Sequence, residues 1–205
     1  TVMLTSSPYD PVVGEGVAGT VGQALPGVSV RVVDDVNRAL AVGEIGNVQV
    51  RGPNVFKGYW RMPEKTREEF TDDGWFKTGD VGRFGGDARI PDNYLSIVGR
   101  SKDLIISGGF NIYPKEIEAI IDEMAGVAES AVIGVPHSDF GEAVVAVIVP
   151  KPGAVIDGPR LQAELKALIA NFKVPKRIHV IDQLPRNTMG KVQKNVLREA
   201  YKEQG

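Results

Sequence analysis

Residues 99–118 read GRSKDLIISGGFNIYPKEIE, and this stretch separates two kinds of pattern. Arg100, Lys102 and Asp103 gather charge at its start, Leu104-Ile105-Ile106 is a short β-prone run, and Ser107-Gly108-Gly109 breaks it. A helix opens at once. Pro114 suits a first helical turn, where an N–H has no intrahelical partner to lose, and Ile117, Ile120, Ile121 and Met124 recur on one face. The stretch reads as a hinge.

Towards the amino terminus the rhythm is that of β structure. Thr1 to Gly19, rich in Gly, Pro and Ser, predicts an extended loop. Val28, Val30 and Val32 alternate as in a half-buried strand, and Asp34 to Gly43 follows as a turn. Glu44 to Arg51 is the next strand, with Val48 and Val50 on one side and Gln49 and Arg51 on the other. Pro63 to Phe70 reads as a short helix, and Asp72-Asp73-Gly74 as a turn into the run Trp75-Phe76-Lys77, which ends in Thr78-Gly79-Asp80. A hairpin of Val81–Phe84 and Tyr94–Val98, joined by a long polar connection from Gly85 to Asn93, closes this segment. Asn93 tolerates a left-handed conformation and keeps that hairpin feasible.

Towards the carboxyl terminus helices and strands mix. Helix Pro114–Met124 leads to a strand over Ala128–Val135 that Pro136 ends. Ala143 to Val149 is apolar on both faces and reads as a central strand. Asp157 caps a helix with Pro159 in its first turn and Leu161, Leu165, Leu168, Ile169 and Phe172 as its buried stripe. Ile178–Ile181 is a further strand, and Lys191–Tyr201 a last helix with Val192, Val196, Leu197 and Ala200 inward. The fold class is therefore α+β: a β-rich subdomain over residues 1–101, a hinge, and a compact α+β domain over residues 102–205.

With 205 residues, 42% hydrophobic and 24% charged, the chain supports packed cores. A net charge of -2 gives no general attraction to nucleic acid or anionic lipid, and no apolar run reaches the ~20 residues of a membrane helix. Neither class of partner is expected. Cysteine is absent, which excludes disulfides and thiolate chemistry, and a cytoplasmic location is the default expectation. His137 and His179 lack acidic neighbours at ligand spacing, so no metal site is expected.

Four places carry possible chemistry. In Thr78-Gly79-Asp80 the carboxylate can accept two bonds from vicinal hydroxyls, or simply cap a turn. Arg100 offers a fork of donors for a ribose or phosphate, or an ion pair with Asp103. Ser107-Gly108-Gly109 leaves room beside its backbone for a thin ligand arm, or forms a hairpin turn. In Pro185–Lys194, PRNTMGKVQK, Lys191 follows Gly190 and could reach an anionic oxygen, or start a solvated basic helix, where its charge opposes the macrodipole. Lys191, Lys194, Arg198 and Lys202, interrupted by Glu199 and Glu203, read as a solvated helix face and not as a nucleic-acid site.

Taken in order, TGD, then GR with KD, then SGG with N, P and E, then PRN with GK resemble the adenylate-forming superfamily of acyl-CoA synthetases, peptide-synthetase adenylation domains and beetle luciferases. Within it, GPNVFKGYWRMPEKT, ISGGFNIYPKEIEA and LPRNTMGKVQKNVLRE look most like malonyl-CoA synthetases. The resemblance implies that Asp80 and Arg100 hold the ribose of ATP or AMP, Lys102 is the hinge, Lys191 is the adenylation lysine, and Gly108 and Gly109 line the pantetheine tunnel. It also implies a mobile C-terminal lid following the end of a large AMP-binding domain. The family's Gly-rich phosphate loop, acyl pocket and aromatic-Gly-x-Thr-Glu motif lie before the equivalent of Thr1, so the chain is expected to be a C-terminal portion. Its ATP and coenzyme A would be used with Mg2+ held by that preceding part, and a small carboxylic acid such as malonate would be the substrate. The alternative expectation is that the chain alone is a non-catalytic nucleotide-contact or interaction module.

Overall fold

A computed structural model describes residues 4–7 and 16–203, and the chain divides into two compact units, Thr1–Lys102 and Asp103–Gly205. The architecture is α+β.

The first unit begins with β1 (Thr5–Ser6) paired antiparallel to β2 (Gln23–Ala24), so part of the expected leading loop is strand. The rest of that expectation over residues 1–3 and 8–15 lies outside the described residues. Four antiparallel strands follow in a meander: β3 (Ser29–Val33), β4 (Gly46–Arg51), then helix α1 (Pro63–Glu69), β5 (Phe76–Phe84) and β6 (Leu95–Arg100). Val30 faces Val50 and Val32 faces Val48 across the ladder, as the alternation requires, but Val33 on the other side is buried too, so the end of β3 is not half-buried. Val32, Val48 and Leu95 form a small buried cluster with Leu40, Phe84 and Ile97 against it.

Gln49, on the side of β4 opposite the valines, is buried as well. Its Oε1 accepts from Arg31 Nε at 2.9 Å and its amide donates to Asn37 Oδ1 at 2.6 Å, which satisfies a group that would otherwise be costly to bury. The Arg31 and Arg51 guanidinium groups lie 4.3 and 4.7 Å from the Trp75 ring.

Two expectations for this unit are corrected. The run at Trp75 and the strand at Val81 are one continuous strand, because Thr78-Gly79-Asp80 is a bulge within it and not a terminus. Asn47 pairs with Val81 and Gln49 with Lys77, so those three residues oppose Val48 alone, and Gly79 takes φ 73°. The hairpin after β5 is also turned differently. Gly85 and Gly86, not Asn93, adopt positive φ, and Asp87 is held at a pKa of about 2 by hydrogen bonds from the Arg89 side chain and backbone.

The second unit is built on one central strand. Strands β7 (Ile105–Ser107) and β8 (Phe110–Ile112) form a hairpin, followed by α2 (Pro114–Asp122), β9 (Val127–His137), β10 (Gly141–Pro150), α3 (Gly158–Leu168), β11 (Arg177–Val180) and α4 (Lys194–Tyr201). Along its whole length β10 pairs antiparallel with β9; its other edge meets β11 in parallel and β7 through Gly141 and Ser107. A parallel neighbour needs a crossover, and α3 supplies it.

Both faces of β10 are covered. Val144, Ala146 and Ile148 pack with Ile117 and Ile121 of α2 and Leu161 and Leu165 of α3. Ala143, Val145 and Val147 pack with Leu184 and with Leu197 of α4. Each valine, leucine or isoleucine among them contributes ~1.5–3 kcal/mol on burial. Asp157 caps α3 as expected, its carboxylate accepting from Arg160 N at 3.1 Å.

Pro136 does not end β9, which runs to His137, because β9 is an edge strand where a missing N–H breaks no ladder. The buried stripes are also shorter than read, since Leu168 and Val196 are exposed and Val192 precedes α4. No helix among the described residues is long and apolar enough to cross a membrane.

Candidate active site

In the first unit the bulge at Thr78–Asp80 and the end of β6 bring Asp80 and Arg100 together as cross-strand partners. Arg100 Nε lies 3.0 Å from Asp80 Oδ1, and Arg100 Nη1 donates to the Thr78 carbonyl at 3.5 Å. The local chain is shaped by Thr78, whose hydroxyl accepts from Asp80 N at 3.0 Å and donates to the Val48 carbonyl at 3.0 Å. That is a side-chain turn of the Ser/Thr type, a signal present in the sequence as Thr two residues before Asp. The pairing leaves a second carboxylate oxygen and further guanidinium N–H groups in a half-exposed position, suited to a polar ligand with adjacent hydroxyls.

Thr78, Gly79, Arg100, Ser101 and Lys102 border an open recess of about 560 Å³. The alternative of an ion pair between Arg100 and Asp103 is not what forms. Asp103 instead accepts from Arg198 at 2.8 Å, within the second unit. Ser101 Oγ donates to the Gly79 carbonyl at 3.2 Å, within the first. Lys102 lies between these two anchors, exposed and without a side-chain partner among the described residues.

In the second unit Gly108 and Gly109 form the turn of the β7–β8 hairpin, with φ 56° and 81°. Two successive positive φ values are those of a tight hairpin turn that a side chain would strain. The turn is tied to the β9–β10 end of the sheet, since Gly108 N donates to the Phe140 carbonyl at 2.9 Å. Phe110, next in the chain, stacks on Phe172 with centroids 4.4 Å apart.

Lys191 does not begin a helix. It sits three residues before α4, in a hairpin closed by an isolated bridge between Arg186 and Val192. The expected conflict with the helix macrodipole therefore does not arise. The Asn187 side chain accepts from Met189 N at 3.0 Å and Lys191 N at 2.9 Å, and Gly190 takes φ 76°. The Lys191 side chain is exposed and its ammonium has no partner among the described residues. The basic face of α4 is also less free than read: Lys194 pairs with Glu118 at 2.6 Å, Arg198 with Asp103, and Lys202 with Glu199 at 2.6 Å.

The two loops of the second unit lie at opposite ends of β9. The Lys191 hairpin is bound to Glu129 through Arg186, whereas the glycine turn is bound beside His137 and Phe140. Eight strand positions separate Glu129 from His137, or roughly 26 Å at ~3.3 Å per residue. Among the described residues no three His, Cys, Asp or Glu side chains gather to hold a metal ion.

The AMP-binding enzyme C-terminal domain matches residues 116–191, and the AMP-binding enzyme domain matches residues 1–60. The chain belongs to the family of AMP-binding enzymes. Its fold superimposes on the ATP-bound crystal structure of MatB from Rhodopseudomonas palustris with a TM-score of 0.89 and 59% identity, covering 98% of this chain and 39% of that one. A curated relative from Rhodococcus jostii, 3-[(3aS,4S,7aS)-7a-methyl-1,5-dioxo-octahydro-1H-inden-4-yl]propanoyl:CoA ligase, is 46% identical over 201 residues, which are 98% of this chain and 36% of that protein. The malonate–CoA ligase of Arabidopsis thaliana is 41% identical over 206 residues, 95% of this chain and 33% of the relative. The chain thus spans little more than a third of the proteins it matches.

Proposed function

We propose that the chain works as the C-terminal portion of an ATP-dependent acid–thiol ligase, forming an acyl-adenylate and then an acyl-CoA thioester. The observation that carries this reading is the placement of Lys191 and Gly108–Gly109 at opposite ends of one rigid strand pair. A single unit can then serve two successive reactions by presenting one end and then the other.

In the first step a carboxylate oxygen attacks the α-phosphorus of ATP, and the bond to the departing pyrophosphate breaks. Asp80 accepts from the ribose hydroxyls and Arg100 donates to them, while the Lys191 ammonium neutralises charge on the carboxylate and α-phosphate oxygens. In the second step the coenzyme A sulfur attacks the acyl carbonyl, AMP leaves and the thiol proton is released. Gly108 and Gly109 allow the pantetheine arm to pass close to the backbone. Lys102 is the residue about which the exchange takes place.

Malonate is the favoured acid, supported by 59% identity to MatB, a malonyl-CoA synthetase, and 41% identity to the malonate–CoA ligase of Arabidopsis thaliana. The enzyme would act in the cytoplasm on a small carboxylate, without a nucleic-acid or membrane partner.

The test is carboxylate-dependent pyrophosphate release by the gene product containing this chain. Release with malonate, and its loss in Lys191→Ala with thioester formation from supplied malonyl-adenylate retained, is the expected result. No release with malonate, methylmalonate or other short acids would sink the reading. A second reading, that the 205-residue chain alone is a non-catalytic nucleotide-contact module, is favoured by its spanning 39% of MatB. Adenylate formation by the chain alone would overturn it.

A further inference from the structure

We infer that Arg186 is a positioning residue for Lys191, acting through the carbonyl of Gly190 and braced by Glu129; this rests on the assignment of Lys191 to adenylation. The tip of the loop that carries Lys191 has little apolar seating: Thr188, Met189 and Gly190 are all exposed, and only Val192, on the closing stem, packs on the core. Its geometry is held by polar contacts instead. Asn187 N donates to the Lys191 carbonyl at 2.9 Å, Gly190 N donates to the Asn187 carbonyl at 2.9 Å, and Gln193 N donates to the Pro185 carbonyl at 2.7 Å. These bonds shape the hairpin but connect it only to itself.

Arg186 supplies a polar link from the loop tip to the rest of the unit. Its Nη1 donates to the Gly190 carbonyl at 2.7 Å, on the residue before Lys191, and its Nη2 pairs with the Glu129 carboxylate on β9. A planar guanidinium can hold a carbonyl with one nitrogen and a carboxylate with another; an ammonium is a single point charge and lacks that fork. The other stem is fastened independently. Lys194 pairs with Glu118, whose Oε1 also accepts from Val132 N of β9 at 2.8 Å. Both stems are therefore sewn to the same strand, and of the two cations only Arg186 touches a residue adjacent to Lys191.

The experiment compares Arg186→Gln with the charge swap Arg186→Glu/Glu129→Arg. In the 205-residue chain, Arg186→Gln should speed hydrogen exchange at the Met189 and Lys191 amides about tenfold, as for one lost hydrogen bond. In the gene product, kcat for adenylation should fall by about 10²-fold while KM and thioester formation from supplied acyl-adenylate hold, the split expected of a misplaced group. The swap should recover the thermal midpoint but not the amide protection or the adenylation rate, because it restores the ion pair without the donor to Gly190. Recovery of adenylation in the swap, or unchanged exchange in Arg186→Gln, would overturn the inference. If Lys191→Ala leaves adenylation intact, the lysine assignment fails, and the exchange result alone decides whether Arg186 holds the loop.

Discussion

Asp80 and Arg100 face each other across β5 and β6, with Arg100 Nε 3.0 Å from Asp80 Oδ1. The pair is partly exposed, so its contribution to stability is small, ~0–1 kcal/mol. Its value lies in orientation: each group holds the other where a diol could bridge them. Asp80→Asn keeps the shape but loses the charge, and a hydrogen bond to a charged group is worth ~1.5–3 kcal/mol. Nucleotide affinity, measured by calorimetry on the gene product containing this chain, should fall about ten- to hundredfold, with the thermal midpoint nearly unchanged. An unaltered affinity would remove Asp80 from the nucleotide site.

Gly109 has open space around the position of a Cβ, yet its φ is 81°. Gly109→Ala therefore tests backbone strain alone, at a cost of ~1–2 kcal/mol. If the turn guides the pantetheine arm, thioester formation should drop while pyrophosphate release stays near wild type. Equal loss of both steps would show a general structural defect instead.

Ile121 is fully buried against β10 between α2 and α3. Ile121→Ala should destabilise the second unit by ~2–5 kcal/mol in denaturant unfolding. A loss below ~1 kcal/mol would mean that α2 contributes little to that core.

His179 of β11 stacks on Tyr201 of α4 with centroids 4.2 Å apart, and its Nε2 has no partner among the described residues. Burial, and secondarily the nearby Arg177 charge, push its pKa below the usual 6.5. The folded state thus prefers the neutral ring, and the unfolded chain takes up the proton more readily. The resulting stability is present above pH 6.5 and is lost as pH falls through the lower folded value. Thermal midpoints across about pH 5–8 should decline toward acid, and His179→Phe, which keeps a ring on Tyr201, should flatten that decline. The same slope in both proteins would assign it to other groups.

Much of the second unit could be read directly, because its signals are local. Seven apolar residues in a row at Ala143–Val149 require cover on both faces, and Pro114 followed by isoleucines at helical spacing admits few other structures. The bulge at Thr78–Asp80 was hidden because a bulge is a relation between two strands, and Val48 lies thirty residues away. The lysine loop differs from the helix expected from Lys191 onward for another reason. Its closing residue, Asn187, is a local turn signal of the Asx type, but the helical spacing downstream outweighed it. The grip of Arg186 on Glu129, across 57 positions, leaves no trace in either neighbourhood.

The ladder between β9 and β10 also limits how such a domain can change. The loops at its two ends are separated by a count of rungs, and removing one residue from a strand would turn every side chain beyond it to the opposite face. Only paired deletions or insertions preserve both cores, each altering the span by roughly 7 Å. The distance between the loops is thus quantised, and any finer adjustment must come from side chains at either end.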